Sequence, residues 1–275
     1  MKRHVLLNLV RAFGLLAVTV LVPVGQTAQA QWKNSKDLVP PIIFQAAGPS
    51  ADSIQSAVDA FRAALGDPNN ASNPGPLANG RREINWDGRD VVTNGPLFDG
   101  FLVTRGALFT TPDGTAFVQA TQAGLAGLFN NPTYETIFTT FSQPRLFSAI
   151  GGKITDVDFF VPGAGNIPAT VRGFGAVFTD VDEPDGIGRR GKRGNPRGAN
   201  TLMEYFDVDG RLIFSSFVPA SPGDGSLSFF GIVFDDARIA RVQITGDVAP
   251  GPDDDEKRDI VMMDDFIYGE PQPLY

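Results

Sequence analysis

The sequence predicts an all-β protein, a jelly-roll-like antiparallel β-sandwich with one short N-terminal helix. From Arg81 onward, short runs rich in Phe, Val and Ile alternate with Gly, Pro and Asp punctuation, the pattern of strands and turns. Gly and Pro number 31 and 21 among 275 residues, so long helices are interrupted before they can form. Beyond residue 154 no helical periodicity separates the strand-like runs, which favours antiparallel neighbours over strand–helix–strand units. The 22 Phe residues supply enough ring area for one sizeable core, or a core with a satellite.

Residues 1–30 read as a signal peptide. Met1-Lys2-Arg3-His4 is a basic start, Ala12 to Val24 an apolar run, and Ala28-Gln29-Ala30 the small-residue pattern before cleavage at Gln31. The run is shorter than the roughly 20 residues of a bilayer span. The expectation is an exported chain, secreted or periplasmic, with no membrane insertion after cleavage. Residues 31–80 then comprise an extended leader, a helix and a loop rich in Pro, Gly and Asn. Ser50 suits an N-cap, and Asp52 favours the positive end of the helix dipole. Ile54, Val58, Phe61 and Leu65 trace one helical face, and Gly66 ends it. That face is expected to cover one end of the sandwich, with partner docking as the alternative.

The sandwich domain spans 81–275. Strands are expected at Arg82–Trp86, Gly100–Thr104, Ala107–Thr110 and Thr115–Gln119. Residues 120–150 read either way: Tyr134, Ile137, Phe138 and Phe141 have helical spacing, yet Asn131-Pro132 and Gln143-Pro144 bracket them closely. Further strands follow at Ile154–Val161, Thr170–Asp180, Thr201–Phe206, Arg211–Val218, Leu227–Phe234, Ile239–Thr245 and Ile260–Tyr268. Asp209-Gly210 predicts a two-residue hairpin turn, since Gly accepts positive φ.

Cleavage would remove His4, the sole histidine, from a chain that has no Cys. A Ser-His-Asp triad and a Cys-His pair both fail without those residues. Zinc, copper and haem sites lose their usual imidazole and thiolate ligands. What remains is carboxylate, Ser-Lys or Tyr chemistry, together with hard cations held by oxygen, chiefly Ca²⁺. After cleavage 20 basic residues face 31 acidic ones, a balance that disfavours nucleic acid. No phosphate loop is present, and Gly173-Phe174-Gly175 lacks the third glycine of a dinucleotide fingerprint.

The segment Ile260-Val261-Met262-Met263-Asp264-Asp265-Phe266-Ile267-Tyr268-Gly269 resembles the last strand of extracellular jelly-roll domains. Such strands occur in carbohydrate-binding modules and galactose-binding-like proteins. Ile239–Thr245 is similar to their penultimate strand, and Arg82–Gly88 to their opening one. Gly173–Asp182 resembles segments of secreted bacterial sandwich proteins. The resemblance covers at most residues 81–270. It implies that first and last strands lie side by side and that an acid of the last strand helps hold a structural Ca²⁺. By position, the implied ligands are Asp264 or Asp265 with Glu83 or Asp87. Adjacent carboxylates repel unless solvated, protonated or bridged by a cation, in keeping with that implication. In a regular strand Asp264 and Asp265 point to opposite faces, so only one is expected to face inward.

Two further acidic runs read as solvated loops. Asp180-Val181-Asp182-Glu183-Pro184-Asp185-Gly186 has a Ca²⁺ loop as its alternative reading, but it misses the EF-hand spacing, with Gly191 where the closing Glu belongs. Asp253-Asp254-Asp255-Glu256 is the other. The basic run from Arg189 to Arg197 is a hairpin tip or a grip for an anionic polymer. Function then divides three ways. The first is a noncatalytic module for extracellular glycan or cell-surface polymer, with Trp86 and Tyr134, Tyr205 or Tyr268 as the stacking aromatics, Trp86 reading equally as core. The second is a structural protein of the envelope matrix without a small ligand. The third is a glycan-cleaving enzyme with paired carboxylates, although the Glu-x-Asp-x-x-Glu signature of laminarinase-like jelly rolls is absent.

Overall fold

The computed structural model describes residues 39–182, 201–254 and 258–274. The signal-peptide reading of 1–30 and the basic run from Arg189 to Arg197 lie outside the described residues. The chain opens with β1 (Ile42–Gly48), α1 (Ala51–Leu65), β2 (Arg81–Ile84), β3 (Val91–Val92), β4 (Leu97–Phe98) and α2 (Leu102–Arg105). It continues through β5 (Ala107–Thr110), β6 (Ala116–Ala120), α3 (Gln122–Phe129), α4 (Tyr134–Ile137), β7 (Leu146–Ile150), β8 (Ile154–Phe159) and β9 (Ala169–Thr170). The remaining strands are β10 (Gly173–Thr179), β11 (Leu202–Phe206), β12 (Leu212–Phe217), β13 (Leu227–Val233), β14 (Arg241–Thr245), β15 (Met262–Gly269) and β16 (Gln272–Pro273).

Two antiparallel sheets stack as a sandwich. The larger has the order β1-β13-β10-β15-β7-β6-β3, with β2 also paired to β15; the smaller runs β12-β11-β14-β8-β5-β4. Strand β2 lies antiparallel to β15, Ile84 opposite Phe266, as the resemblance implied for first and last strands. Inward-facing rings of both sheets fill the space between them, and Trp86 is central. It stacks on Phe147 at 3.7 Å and meets Phe109 and Phe266 edge-on.

Helix α1 lies across the outer face of the large sheet. Its buried face of Ile54, Val58, Phe61 and Leu65 packs on Val177, Phe229, Val233 and Ile267. The glycines of Gly173-Phe174-Gly175 find their purpose here. Gly175 pairs with Gly231 across β10 and β13, and the Phe61 ring sits over both. A Cβ on Gly231 would lie 2.9 Å from Phe61 Cε2. The slot admits the ring only because both positions lack side chains.

Where the observed elements depart from expectation, tertiary partners explain the difference. Residues 42–48, read as leader, form an edge strand because β13 offers a full ladder from Ile42–Val233 to Gly48–Leu227. The strand expected at Gly100–Thr104 is a turn leading into α2, with Val103 exposed to solvent; burial offers that run no reward as a strand. The expected strand Thr170–Asp180 divides, β9 pairing with β16 while β10 joins the large sheet. The ambiguous stretch resolves into α3, α4 and β7, which enclose a second core of Leu125, Tyr134, Phe138 and Leu146. The hairpin between β11 and β12 turns over residues 207–211 rather than two. Gly210 takes φ +72°, and Asp207 Oδ1 accepts from the backbone N–H of Asp209 and Arg211 at 2.9 Å each. No helix among the described residues is long and apolar enough to cross a membrane.

Candidate functional site

The aromatics expected as a stacking surface are interior. Trp86, Tyr134, Tyr205 and Tyr268 each have 0% exposure. Their polar atoms are satisfied inside the protein: Trp86 Nε1 donates to Asp264 O at 3.0 Å, and Tyr134 Oη to Pro252 O at 2.9 Å. Tyr205 Oη donates to Phe174 O at 3.3 Å, and burial pushes its pKa well up. A sugar platform must face solvent, so these rings act in packing instead.

The carboxylates of the last strand meet, in an arrangement a regular strand would forbid. Met263 pairs with Phe178 and Phe266 with Ala176, so β15 carries one extra residue there. This bulge turns both Asp264 and Asp265 to the outer face, beneath α1. Ser142 Oγ reaches Asp265 Oδ1 at 2.6 Å and Asp264 Oδ1 at 3.2 Å, while Phe141 N–H donates to Asp264 Oδ2 at 2.6 Å. Arg62 of α1 bonds Glu83 Oε2 from Nε and Nη2, at 3.2 and 2.9 Å, and its Nη2 lies 3.4 Å from Asp265 Oδ2. Burial and the neighbouring Asp265 hold Asp264 well above the ordinary carboxylate range.

The ligand set implied for Ca²⁺ therefore does not fit. A guanidinium already supplies the positive charge beside Glu83 and Asp265, and hydrogen bonds engage Asp264. Asp87 turns elsewhere, accepting from Arg145 N–H at 3.3 Å. Of the expected quartet, Glu83 and Asp265 share Arg62, Asp264 joins Asp265 through Ser142, and Asp87 stands apart.

A different acidic group is assembled where both acidic runs were read as solvated loops. Asp180 follows β10 in the left-handed region, φ +69°, and is fully buried. Both of its carboxylate oxygens lack a hydrogen-bond partner among the described residues. One ligand oxygen each from Asp180, Asp182 and Asp254 lies within 4.8 Å of the others. This group could hold a metal ion. The surrounding backbone stitches its donors in place: Gly223 N–H donates to Asp182 Oδ1 at 2.7 Å, and Ile260 N–H to Asp254 Oδ1 at 3.0 Å. Asp180 N–H itself donates to Ser226 O at 3.1 Å.

The electrostatics are one-sided. Burial first, then the carboxylates of Asp254, Asp182, Asp259 and Asp224, push Asp180 up to about 9. Burial raises Asp254 to about 6. Asp180 and Asp254 face one another, a contact that satisfies neither unless one carries a proton or a cation lies between them. A Ca²⁺ loop at Asp180–Gly186 is the alternative the sequence offers, but Asp254 is joined to Asp180 and Asp182 only through the fold. The local signal was the Asp-x-Asp spacing at a strand's end.

No family model matches this chain, and neither a curated protein nor a solved structure matches it.

Proposed function

We propose that this chain is an exported, noncatalytic binding protein for extracellular glycan or cell-surface polymer, clamped by one structural Ca²⁺ at Asp180, Asp182 and Asp254. The observation that carries the cation is the buried, unpartnered carboxylate of Asp180. Burying a carboxylate without a partner is costly, and the group responds by holding a proton or a cation. Three oxygens within 4.8 Å of one another share a central point at most about 2.8 Å from each, a few tenths of an ångström from the Ca–O range of about 2.3–2.6 Å. Mg²⁺ demands shorter, near-octahedral contacts and gives up its water reluctantly, which makes it the poorer match. Three carboxylates against a divalent charge leave room for water or backbone oxygens to complete the shell.

The binding role is supported by the jelly-roll resemblance and by the absence of His and Cys after residue 30. The test uses the purified exported chain on a glycan array, once with Ca²⁺ and once with EDTA, alongside native mass spectrometry. One bound Ca²⁺, lost in Asp180→Ala, and glycan binding weakened by EDTA are expected. A metal-free mass in millimolar Ca²⁺ would overturn the clamp. A blank array in both conditions would transfer the assignment to an envelope structural protein.

A further inference from the structure

We infer that the glycan site is the cleft where the C-terminal end of α1 meets the rim of the large sheet, and that it takes a neutral sugar unit; this rests on the binding reading above. The cleft has a volume of about 430 Å³, a size typical of small-ligand sites. The end of α1, the turns at 78–80 and 235–237, and the chain at 270–272 form its walls.

Those walls are held rigid before any ligand arrives. Glu270 accepts from Arg82 Nε and Nη2 at 2.7 Å each, from Asn70 Nδ2 at 2.8 Å and from Leu77 N–H at 3.1 Å. The loop between α1 and β2 is thereby stapled to the end of β15. Arg238 bonds both Asp235 and Asp236 and steadies the opposite wall. Preorganised polar groups of this kind avoid an ordering cost on binding.

Arg238 keeps one nitrogen, Nη1, without a hydrogen-bond partner among the described residues, but Arg172 goes further. Its Nε is buried without a hydrogen-bond partner, and its guanidinium enters no ion pair with a described residue. Its stem packs at Gly269, where an added Cβ would approach Arg172 Cγ to 2.9 Å. Four acids line the same cleft as Arg172; Glu270 is buried, while the side chains of the other three remain open to solvent, Asp67 at 84%, Asp235 at 59% and Asp236 at 61%.

This charge pattern selects the ligand. Asp67 is paired with Arg81, Asp235 and Asp236 with Arg238, and Glu270 with Arg82. With Arg172 the four acids and four arginines balance, so a ligand meets both signs and neither an anionic nor a cationic sugar gains net attraction. A neutral polyhydroxylated unit satisfies both, its hydroxyls donating to Asp235 and Asp236 while its oxygens accept from Arg172. The small lining residues Ala64, Ala78 and Ala237 leave room for a ring.

The test is calorimetric titration, in Ca²⁺, with neutral gluco-, galacto-, manno- and xylo-oligosaccharides beside uronic and sulfated ones. The variants are Arg172→Ala, which removes the donor, and Ala237→Trp, which fills the cleft from a surface turn; circular dichroism checks their folding. A neutral oligosaccharide should bind the native chain, at least tenfold more weakly in Arg172→Ala and undetectably in Ala237→Trp. Unchanged affinity in both variants would overturn the cleft while leaving the glycan role standing. Binding confined to uronic or sulfated chains would overturn the ligand class. No binding to any member would overturn the glycan role together with the cleft.

Discussion

Asp180 and Asp264 are both fully buried acids, and their surroundings treat them differently. Asp264 accepts hydrogen bonds from Phe141 N–H and Ser142, while Arg62 serves its neighbour Asp265. The Asp180 carboxylate has no hydrogen-bond partner among the described residues and faces further carboxylates. With Asp180 pushed up to about 9, Asp180→Asn should leave the melting temperature in EDTA little changed near pH 7 and raise it above about pH 9, where the native carboxyl ionises. The same variant should lose most of the gain that Ca²⁺ gives the native protein. Differential scanning calorimetry with and without the metal measures both. A second residue-scale prediction concerns Arg82 and Glu270, paired at 2.7 Å with exposures of 0% and 3%. Arg82→Met leaves a buried carboxylate without its cation and should cost about 3–5 kcal/mol in urea unfolding. Neither pairing was legible beforehand, because the partners are separated by 188 residues and only the register of β2 on β15 unites them.

At the scale of elements, helix α1 was legible from its own spacing. Ile54, Val58, Phe61 and Leu65 are its buried face, as the 3.6-residue period requires. Its position on the outer face of the large sheet was not, since nothing in the helix names Gly175 and Gly231 as the floor beneath Phe61. Phe61→Ala should destabilise the protein by about 3–5 kcal/mol, read from urea denaturation. Gly231→Ala should also destabilise it, because its new methyl meets the ring while Gly175 Cα lies 3.1 Å away. Limited proteolysis of either variant should cut first between β1 and β2, where the helix no longer anchors the chain. The bulge in β15 teaches a similar lesson. Alternation predicted one inward carboxylate, but one added residue turned both to the same side, where Ser142 bonds each.

For the whole molecule, cation and proton compete at one place. With Asp180 pushed up to about 9 and Asp254 to about 6, the folded state binds more protons than the unfolded chain above its Asp pKa of about 3.9. Stability from these groups is therefore full below about pH 4 and is lost as pH rises through about 6 and then about 9. Melting temperature in EDTA should fall over that range. The proposed Ca²⁺ would take the same oxygens in their ionised form, so its stabilisation should grow with pH. At a hundredfold excess over Kd the gain is about 2.7 kcal/mol, or roughly 5–10 °C for a chain of this size. A melting temperature independent of pH and Ca²⁺ alike would contradict this linkage.

The sequence by itself determined the all-β class, the helix with its buried face, and the approximate place of most strands. Those features follow from local periodicity and turn chemistry, which act over a few residues. It also removed His- and Cys-dependent chemistry from everything after residue 30. Only the tertiary structure decided which polar groups meet. Trp86 became core because two sheets close around it, Glu83 and Asp265 acquired Arg62 because α1 crosses β15, and Asp254 reached Asp180 across 74 positions of sequence. Side-chain chemistry can be read from composition, but its partners are set by strand order and register, which no local pattern encodes.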